Sequence, residues 1–393
     1  MSEARPRKVV RLLVQALLFA AGLALFGWVA WTARAELTEE RIAELKRAGP
    51  AFVAALVGLS LASFCLNGFG WWVAVSPVRR LSVWRTLAVN VVATGLSYLP
   101  GKLSVLFRVL YHKRVDRMPV MQFGGWAAAF GGVTVVGLGP GVAATLLLPD
   151  AAWGLWLGAT AVGVVVAFVA LVVGSRWVAS DSGWRLLESI ARRLPKGEAV
   201  LASGPFVNLH TGVAMVANER ATGLGVVIRQ LDALGYAARF LVMASVLNVE
   251  MTLAEAAVAG VSFFLISALA PTGPLGLREA ATGGVLGALV SDGLKIVVVS
   301  VSAVELATVA VAGLIAGVAL SRGRRGVDDA AGVGDDGDGG RGVVGSTGVA
   351  GVLGEVLTEA DPAGRVGEAV VEGDGPRDDD EAVVRPGDQA VEE

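Results

Sequence analysis

The chain has 393 residues, of which 54% are hydrophobic and only 17% carry charge, whereas a soluble domain usually carries about 25%. The formal net charge is −2, but residues 327–393 hold 18 Asp and Glu against four Arg, so residues 1–326 carry +12. This composition excludes an ordinary soluble enzyme. It indicates an apolar, basic membrane part followed by an acidic tail, and no nucleic-acid partner is predicted.

Long apolar spans follow one another from the N-terminus, and each is long enough to cross about 30 Å of hydrocarbon as a helix. They cover residues 9–32, 51–75, 84–111, 119–148, 151–174, 223–248, 253–290 and 294–320. The first span is longer than the core of a signal peptide, so we interpret it as a retained helix. The pattern predicts an all-α, polytopic transmembrane bundle.

Two spans, 84–111 and 253–290, contain Pro and Gly near their middle and are predicted to be broken, re-entrant segments. Lys and Arg in the short loops place both termini in the cytoplasm if these two segments return to the side from which they enter. The predicted topology is six full crossings and two re-entrant units. One broken segment in each half indicates an inverted repeat.

The predicted transmembrane domain covers residues 1–325 and includes a cytoplasmic insert, 176–222. Within this insert, Trp184, Leu187 and Ile190 recur at helical spacing. Such an amphipathic helix either lies on an anionic leaflet or packs on the cytoplasmic face of the bundle. Residues 326–393 are rich in Gly and acidic residues, and we predict a disordered tail.

The two breaks are the predicted functional site, because backbone freed from helix pairing is tolerated only against protein or a polar cavity. The first break supplies Pro100, Gly101, Lys102 and Arg108, and the second supplies Pro271, Gly273, Gly276, Arg278 and Glu279. Helix N-termini and cations favour an anionic group such as a phosphate. In the alternative, Arg108 reaches the headgroup layer and Arg278 with Glu279 only neutralises local backbone.

Other ionisable residues in the spans have simpler explanations. Asp292 and Lys295 can pair at the start of the last helix, whereas Glu305 lies deeper and either binds Arg278 or Arg108 or carries protons. Cys65, the only cysteine, is expected to be a buried apolar side chain. We predict no catalytic residue, no metal site and no cofactor.

The sequence around the two breaks resembles the lysylphosphatidylglycerol synthase transmembrane region, a flippase-like membrane protein family. Pro100–Gly101–Lys102 followed by Arg108 is similar to its first signature, and Pro271 to Glu279 is similar to its Pro- and Gly-rich second signature. The resemblance covers residues 10–320. It implies a multi-helix inner-membrane domain with re-entrant helices that handles anionic or polyprenyl-type lipids.

This chain departs from the family pattern in three places. The second signature is one residue short, and the family's Glu-Arg-x-x-Asp helix is replaced by residues 122–137, which carry no charge. Full-length synthases continue into an aminoacyl-transferase domain, whereas here the tail has low complexity.

The first functional hypothesis is therefore a non-enzymatic, multi-pass plasma-membrane protein that translocates lipids, with membrane lipids as its partners. In this hypothesis Lys102, Arg108 and Arg278 bind phosphate and Glu279 holds the arginines in place. Two alternatives remain. One is an ion-coupled transporter of small solutes that depends on Glu305. The other is a membrane scaffold for a lipid-modifying or glycosyl-transferring enzyme.

Overall fold

The computed structural model describes residues 4–99, 103–148, 152–193, 199, 201, 203–269, 275–287 and 294–331. These residues form thirteen helices and no strand. The helices are α1 (Ala4–Arg34), α2 (Glu39–Arg47), α3 (Pro50–Val75), α4 (Val83–Ser97), α5 (Leu103–Val115), α6 (Val120–Leu147), α7 (Trp153–Ala179), α8 (Asp181–Ala191), α9 (Gly204–Ala217), α10 (Glu219–Val246), α11 (Leu253–Leu269), α12 (Leu277–Gly287) and α13 (Leu294–Ala331). Every predicted apolar span is occupied by a helix or, at the two breaks, by a pair of helices.

Four helices in the described ranges are long and apolar enough to cross a membrane: α3, α6, α7 and most of α13. On α7, Val162, Val165 and Val166 are 61–64% exposed. Continuous exposed apolar surface of this kind is stable against lipid rather than water. Helices α1 and α10 are also long, with 31 and 28 residues. Helix α10 differs from the four apolar helices because it carries charged side chains inside the bundle.

Both broken spans reverse direction, as re-entrant segments must. The Arg108 side chain of α5 bonds Asn90 of α4 at 2.7 Å, although a straight helix would separate these residues by about 27 Å. In the second hairpin, the Arg278 guanidinium of α12 lies 3.8 Å from the ring centre of Phe263 in α11. We call α4–α5 the first hairpin and α11–α12 the second hairpin.

The chain repeats one order of elements: a long helix, a hairpin and a second long helix. The units are α3 to α6 and α10 to α13. Their leading helices α3 and α10 pack antiparallel, because Leu56 lies in one cluster with Leu247, whereas Gly70 at the other end of α3 lies against Ile228. The two units therefore run in opposite directions, as the predicted inverted repeat requires.

The predicted cytoplasmic insert consists of the end of α7, helices α8 and α9 and the start of α10. Helix α9 packs so closely on α6 that a side chain on Gly212 would meet the backbone of Gly125. Helix α8 rests on α9 through Trp184, whose ring is 5.3 Å from that of His210. This packing favours the interpretation in which the insert covers the bundle itself.

Two sequence-based expectations need correction. Cys65 is exposed on α3 rather than buried, because α3 packs through the face that carries Ser60, Ser63, Phe64 and Trp71. In a membrane protein an outward apolar side chain meets lipid and gains nothing from burial. Helix α13 continues to Ala331, beyond the predicted boundary at 325, and residues 332–393 lie outside the described part of the chain.

Candidate functional site

Gly276 immediately precedes α12 in the second hairpin. Its φ angle is +82°, a region that side-chain-bearing residues avoid. The Gly276 N–H donates to Glu279 Oε2 at 2.6 Å, and the Gly276 carbonyl accepts from the Ala280 N–H at 2.9 Å. Glu279 therefore caps the helix, and a side chain at 276 would collide with the Gly22 carbonyl of α1.

Arg278 is held by several partners at once. Its guanidinium donates to Glu279 Oε1 at 3.0 and 3.1 Å and to Glu305 Oε1 at 3.1 Å. It also bonds the hydroxyls of Tyr98 and Ser302, both at 3.1 Å. The residue is only 1% exposed, so its charge is neutralised inside the protein. This arrangement favours a structural role over the predicted phosphate contact for Arg278.

Glu305 of α13 joins the two halves of the protein. Its Oε1 accepts from the Tyr98 hydroxyl at 2.8 Å, and its Oε2 accepts from Arg239 Nη1 at 2.9 Å. Tyr98 follows α4 directly, at the turn of the first hairpin. The two breaks, 180 residues apart in sequence, therefore meet through Tyr98, Arg278 and Glu305, and Glu305 binds Arg278, one of its two predicted partners.

Helix α10 contributes the charged residues that the sequence analysis did not single out. Arg229 Nη1 donates to Asp232 Oδ2 at 2.9 Å, and Asp232 also accepts from the Ser63 hydroxyl of α3. Arg239 bonds Ser63 at 3.3 Å and lies 3.8 Å from the ring centre of Tyr236. These polar residues of α10 recur at intervals of three and four along one face. That periodicity within an apolar span was the available signal.

We define the charge cluster as these six residues, each at most 3% exposed: Arg229, Asp232, Arg239, Arg278, Glu279 and Glu305. Three are cationic and three anionic, so the cluster is neutral by itself. Taking an unpaired charge out of water costs several kcal/mol, whereas a paired and hydrogen-bonded one is tolerated. The cluster therefore ties α10, α12 and α13 together and, through Ser63 and Tyr98, binds α3 and the first hairpin.

Arg108 lies on α5 and is not one of the six residues of the charge cluster. Its Nη2 donates to Asn90 Oδ1 at 2.7 Å, and its guanidinium lies 4.8 Å from the ring centre of Trp71. Among the described residues no carboxylate forms an ion pair with Arg108. Its side chain is partly exposed and turns into the bundle. This direction disagrees with the alternative in which Arg108 extends to the headgroup layer.

The remaining predicted site residues have separate outcomes. Six residues named in the sequence analysis lie outside the described part of the chain: Pro100, Gly101, Lys102, Pro271, Gly273 and Asp292. The Lys295 ammonium is 3.8 Å from a carboxylate oxygen of Glu36.

His112 lies near the end of α5, in the first hairpin. His112 Nδ1 is 2.7 Å from Asp116 Oδ2, which fixes the imidazole at the end of α5. Throughout the described ranges no three His, Cys, Asp or Glu side chains are grouped so that they could hold a metal ion.

Comparison with known proteins identifies the family of the chain. The family model of the lysylphosphatidylglycerol synthase transmembrane region matches residues 16–316. No curated protein and no solved structure matches the chain. The matched segment contains both hairpins, Arg108 and the whole charge cluster. Because the match spans most of the chain, this helical membrane protein belongs to the family of the lysylphosphatidylglycerol synthase transmembrane region, which links it to lipid handling.

Proposed function

We propose that this protein translocates anionic or polyprenyl-type lipids across the plasma membrane, as a flippase-like protein. The observation that carries the proposal is the buried charge cluster at the meeting point of the two hairpins. Charged side chains inside apolar helices are costly, and they typically mark a substrate or ion pathway. A lipid headgroup needs such a polar route, since hydrocarbon offers its phosphate no hydrogen bonds.

The two hairpins have different tasks in this proposal. The second hairpin is fixed in place by Arg278, Glu279 and Glu305, and it supplies the rigid part of the route. The first hairpin presents Arg108, whose guanidinium has only a neutral amide and an aromatic ring as described partners. Arg108 is therefore the residue best placed to bind a headgroup, with Lys102 as a second candidate on the same break.

The geometry gives less support to ion-coupled transport. Both carboxylate oxygens of Glu305 are engaged, one by Tyr98 and Arg278 and the other by Arg239. A coupling cation would have to displace an arginine from Glu305. The partners that we propose are membrane lipids, and in the predicted orientation both termini are cytoplasmic.

The test is headgroup translocation in proteoliposomes, measured with fluorescent anionic and zwitterionic lipids and a membrane-impermeant quencher. We expect protein-dependent translocation that favours the anionic lipid and falls at least about tenfold in Arg108→Ala, which corresponds to about 1.4 kcal/mol. Arg220→Ala is the matched control, because it removes an exposed arginine of α10.

Two results would contradict the proposal. Unchanged translocation in Arg108→Ala would remove the role assigned to this residue. No translocation above that of empty liposomes, in a monodisperse sample, would favour the scaffold hypothesis. Co-purification of a lipid-modifying or glycosyl-transferring enzyme would then be the next measurement.

A further inference from the structure

Two arginines lie on one pair of stacked aromatic rings in the core. The rings of Trp71 (α3) and Phe130 (α6) stack at 4.3 Å between their centres. The Arg108 guanidinium lies 4.8 Å from the centre of Trp71, and that of Arg229 lies 4.3 Å from the centre of Phe130. Four helices, α3, α5, α6 and α10, thus bring two like charges together.

Arg229 has hydrogen-bond donors that no described group uses. Only its Nη1 is bonded, to Asp232, whereas Nε and Nη2 have no partner although the residue is 1% exposed. Buried donors are nearly always satisfied in native proteins, and an unsatisfied one costs about 1–3 kcal/mol. Two such donors on one buried cation indicate that an acceptor belongs beside Arg229.

Helix α6, which packs against Arg229, offers it no charged acceptor. Gly137 of α6 faces the stem of the Arg229 side chain, and a Cβ there would lie only 2.8 Å from the Arg229 Cβ. The stretch 122–137, in which the family's charged motif is absent, therefore meets an arginine supplied by α10. No side chain of this stretch can neutralise that arginine, because none of them is charged.

The charges of the described interior residues do not balance. The charge cluster is neutral, and Arg108 adds one positive charge that no described carboxylate offsets. An uncompensated cation inside a membrane protein is costly, and one bound anion would remove that cost. A phosphodiester has a single negative charge and oxygens that accept the paired N–H groups of arginine.

We propose that Arg108 and Arg229 form an anion site for the singly charged phosphate of a phospholipid. The inference rests on the proposed lipid-handling function and names the group that is recognised. Arg108, partly exposed, is the outer arm of the site, and Arg229, fully buried, is the inner arm. The Trp71–Phe130 pair stabilises both cations through cation–π contacts and contributes no competing acceptor.

The test is native mass spectrometry of the full-length protein in detergent, titrated with phosphatidylglycerol, diacylglycerol of the same chains, or inorganic phosphate. Wild type is expected to retain phosphatidylglycerol, and Arg108→Gln to bind it at least about tenfold more weakly. The second variant is the double substitution Arg229→Gln with Asp232→Asn, which removes the inner arm while the cluster stays neutral. Arg108→Lys should recover part of the binding, since it restores the charge without the paired donors.

The control is Arg220→Gln, which removes an exposed cation from α10 and should bind like wild type. Unfolding temperatures measured beside each titration separate loss of binding from loss of folding. Equal retention of diacylglycerol would overturn the site, because its chains alone would then account for binding. If inorganic phosphate displaced phosphatidylglycerol at a similar concentration, the site would bind free phosphate, and the proposal of a lipid ligand would be wrong.

The site and the proposed function fail in different ways. Retention of phosphatidylglycerol that depends on both arginines, without translocation in proteoliposomes, would support the site and remove the flippase activity. Wild-type binding in Arg108→Gln and in the double variant, with translocation still present, would remove the site and keep the function.

Discussion

The two hairpins look alike in sequence, since each has a Pro- and Gly-containing break followed by an arginine, but the structure treats the two arginines differently. Arg278 in the second hairpin is 1% exposed and bound by two carboxylates. Arg108 in the first hairpin is partly exposed and bound by a neutral amide. A cation after a helix break is therefore not sufficient evidence for a ligand site. The carboxylates that reach it from other helices decide whether its charge remains available.

The largest expected effect concerns the second hairpin. Glu305→Gln takes a charged partner from both Arg239 and Arg278, so we expect the free energy of unfolding to fall by about 3–5 kcal/mol. The measurement is unfolding of the detergent-solubilised protein with increasing denaturant. Glu44→Gln is the control, because its pair with Arg47 is exposed and should be worth less than about 1 kcal/mol. Equal losses in the two variants would contradict the structural role of the charge cluster.

A smaller effect is expected at the turn of the second hairpin. Gly276→Ala forces a side chain into a positive φ angle and against the Gly22 carbonyl, so unfolding should become easier by about 1–3 kcal/mol. Gly284→Ala is the matched control on the same helix, because no atom lies within 4 Å of the added Cβ. The control should be neutral or slightly stabilising. If both variants behave alike in thermal unfolding, the turn is not the constraint that fixes the second hairpin.

The smallest effect on stability is expected in the first hairpin. Arg108→Gln removes one hydrogen bond and one ring contact but also relieves an unbalanced charge, so the free energy of unfolding should change by no more than about 1 kcal/mol. Arg278→Gln, measured in the same way, should cost several times more. A loss in Arg108→Gln as large as in Arg278→Gln would mean that both arginines are structural, and the contrast between the hairpins would disappear.

The sequence by itself determined the helices, the membrane environment and the two breaks. Apolar runs of about 20 residues have few stable alternatives to a transmembrane helix, and Pro with Gly inside such a run interrupts it wherever it lies in the fold. Gly276, Arg278, Glu279 and Glu305 could be selected on this local basis. The Arg278–Glu305 pair could be named only as one alternative, beside a pair of Glu305 with Arg108 and a role in proton transfer, because several cations lie within the spans.

Only the tertiary structure decided which charges neutralise which. The polar face of α10, with Arg229, Asp232 and Arg239, was present in the sequence, but its partners Ser63 and Glu305 lie on helices far away along the chain. The local sequence pattern cannot predict which residues of α3 and α10 lie side by side, since their relative position depends on packing along the whole length of both helices. Arg278 was therefore expected to bind phosphate although two carboxylates hold it. The charge on Arg108, which no described carboxylate offsets, emerged only when the charges of the described interior residues could be counted together.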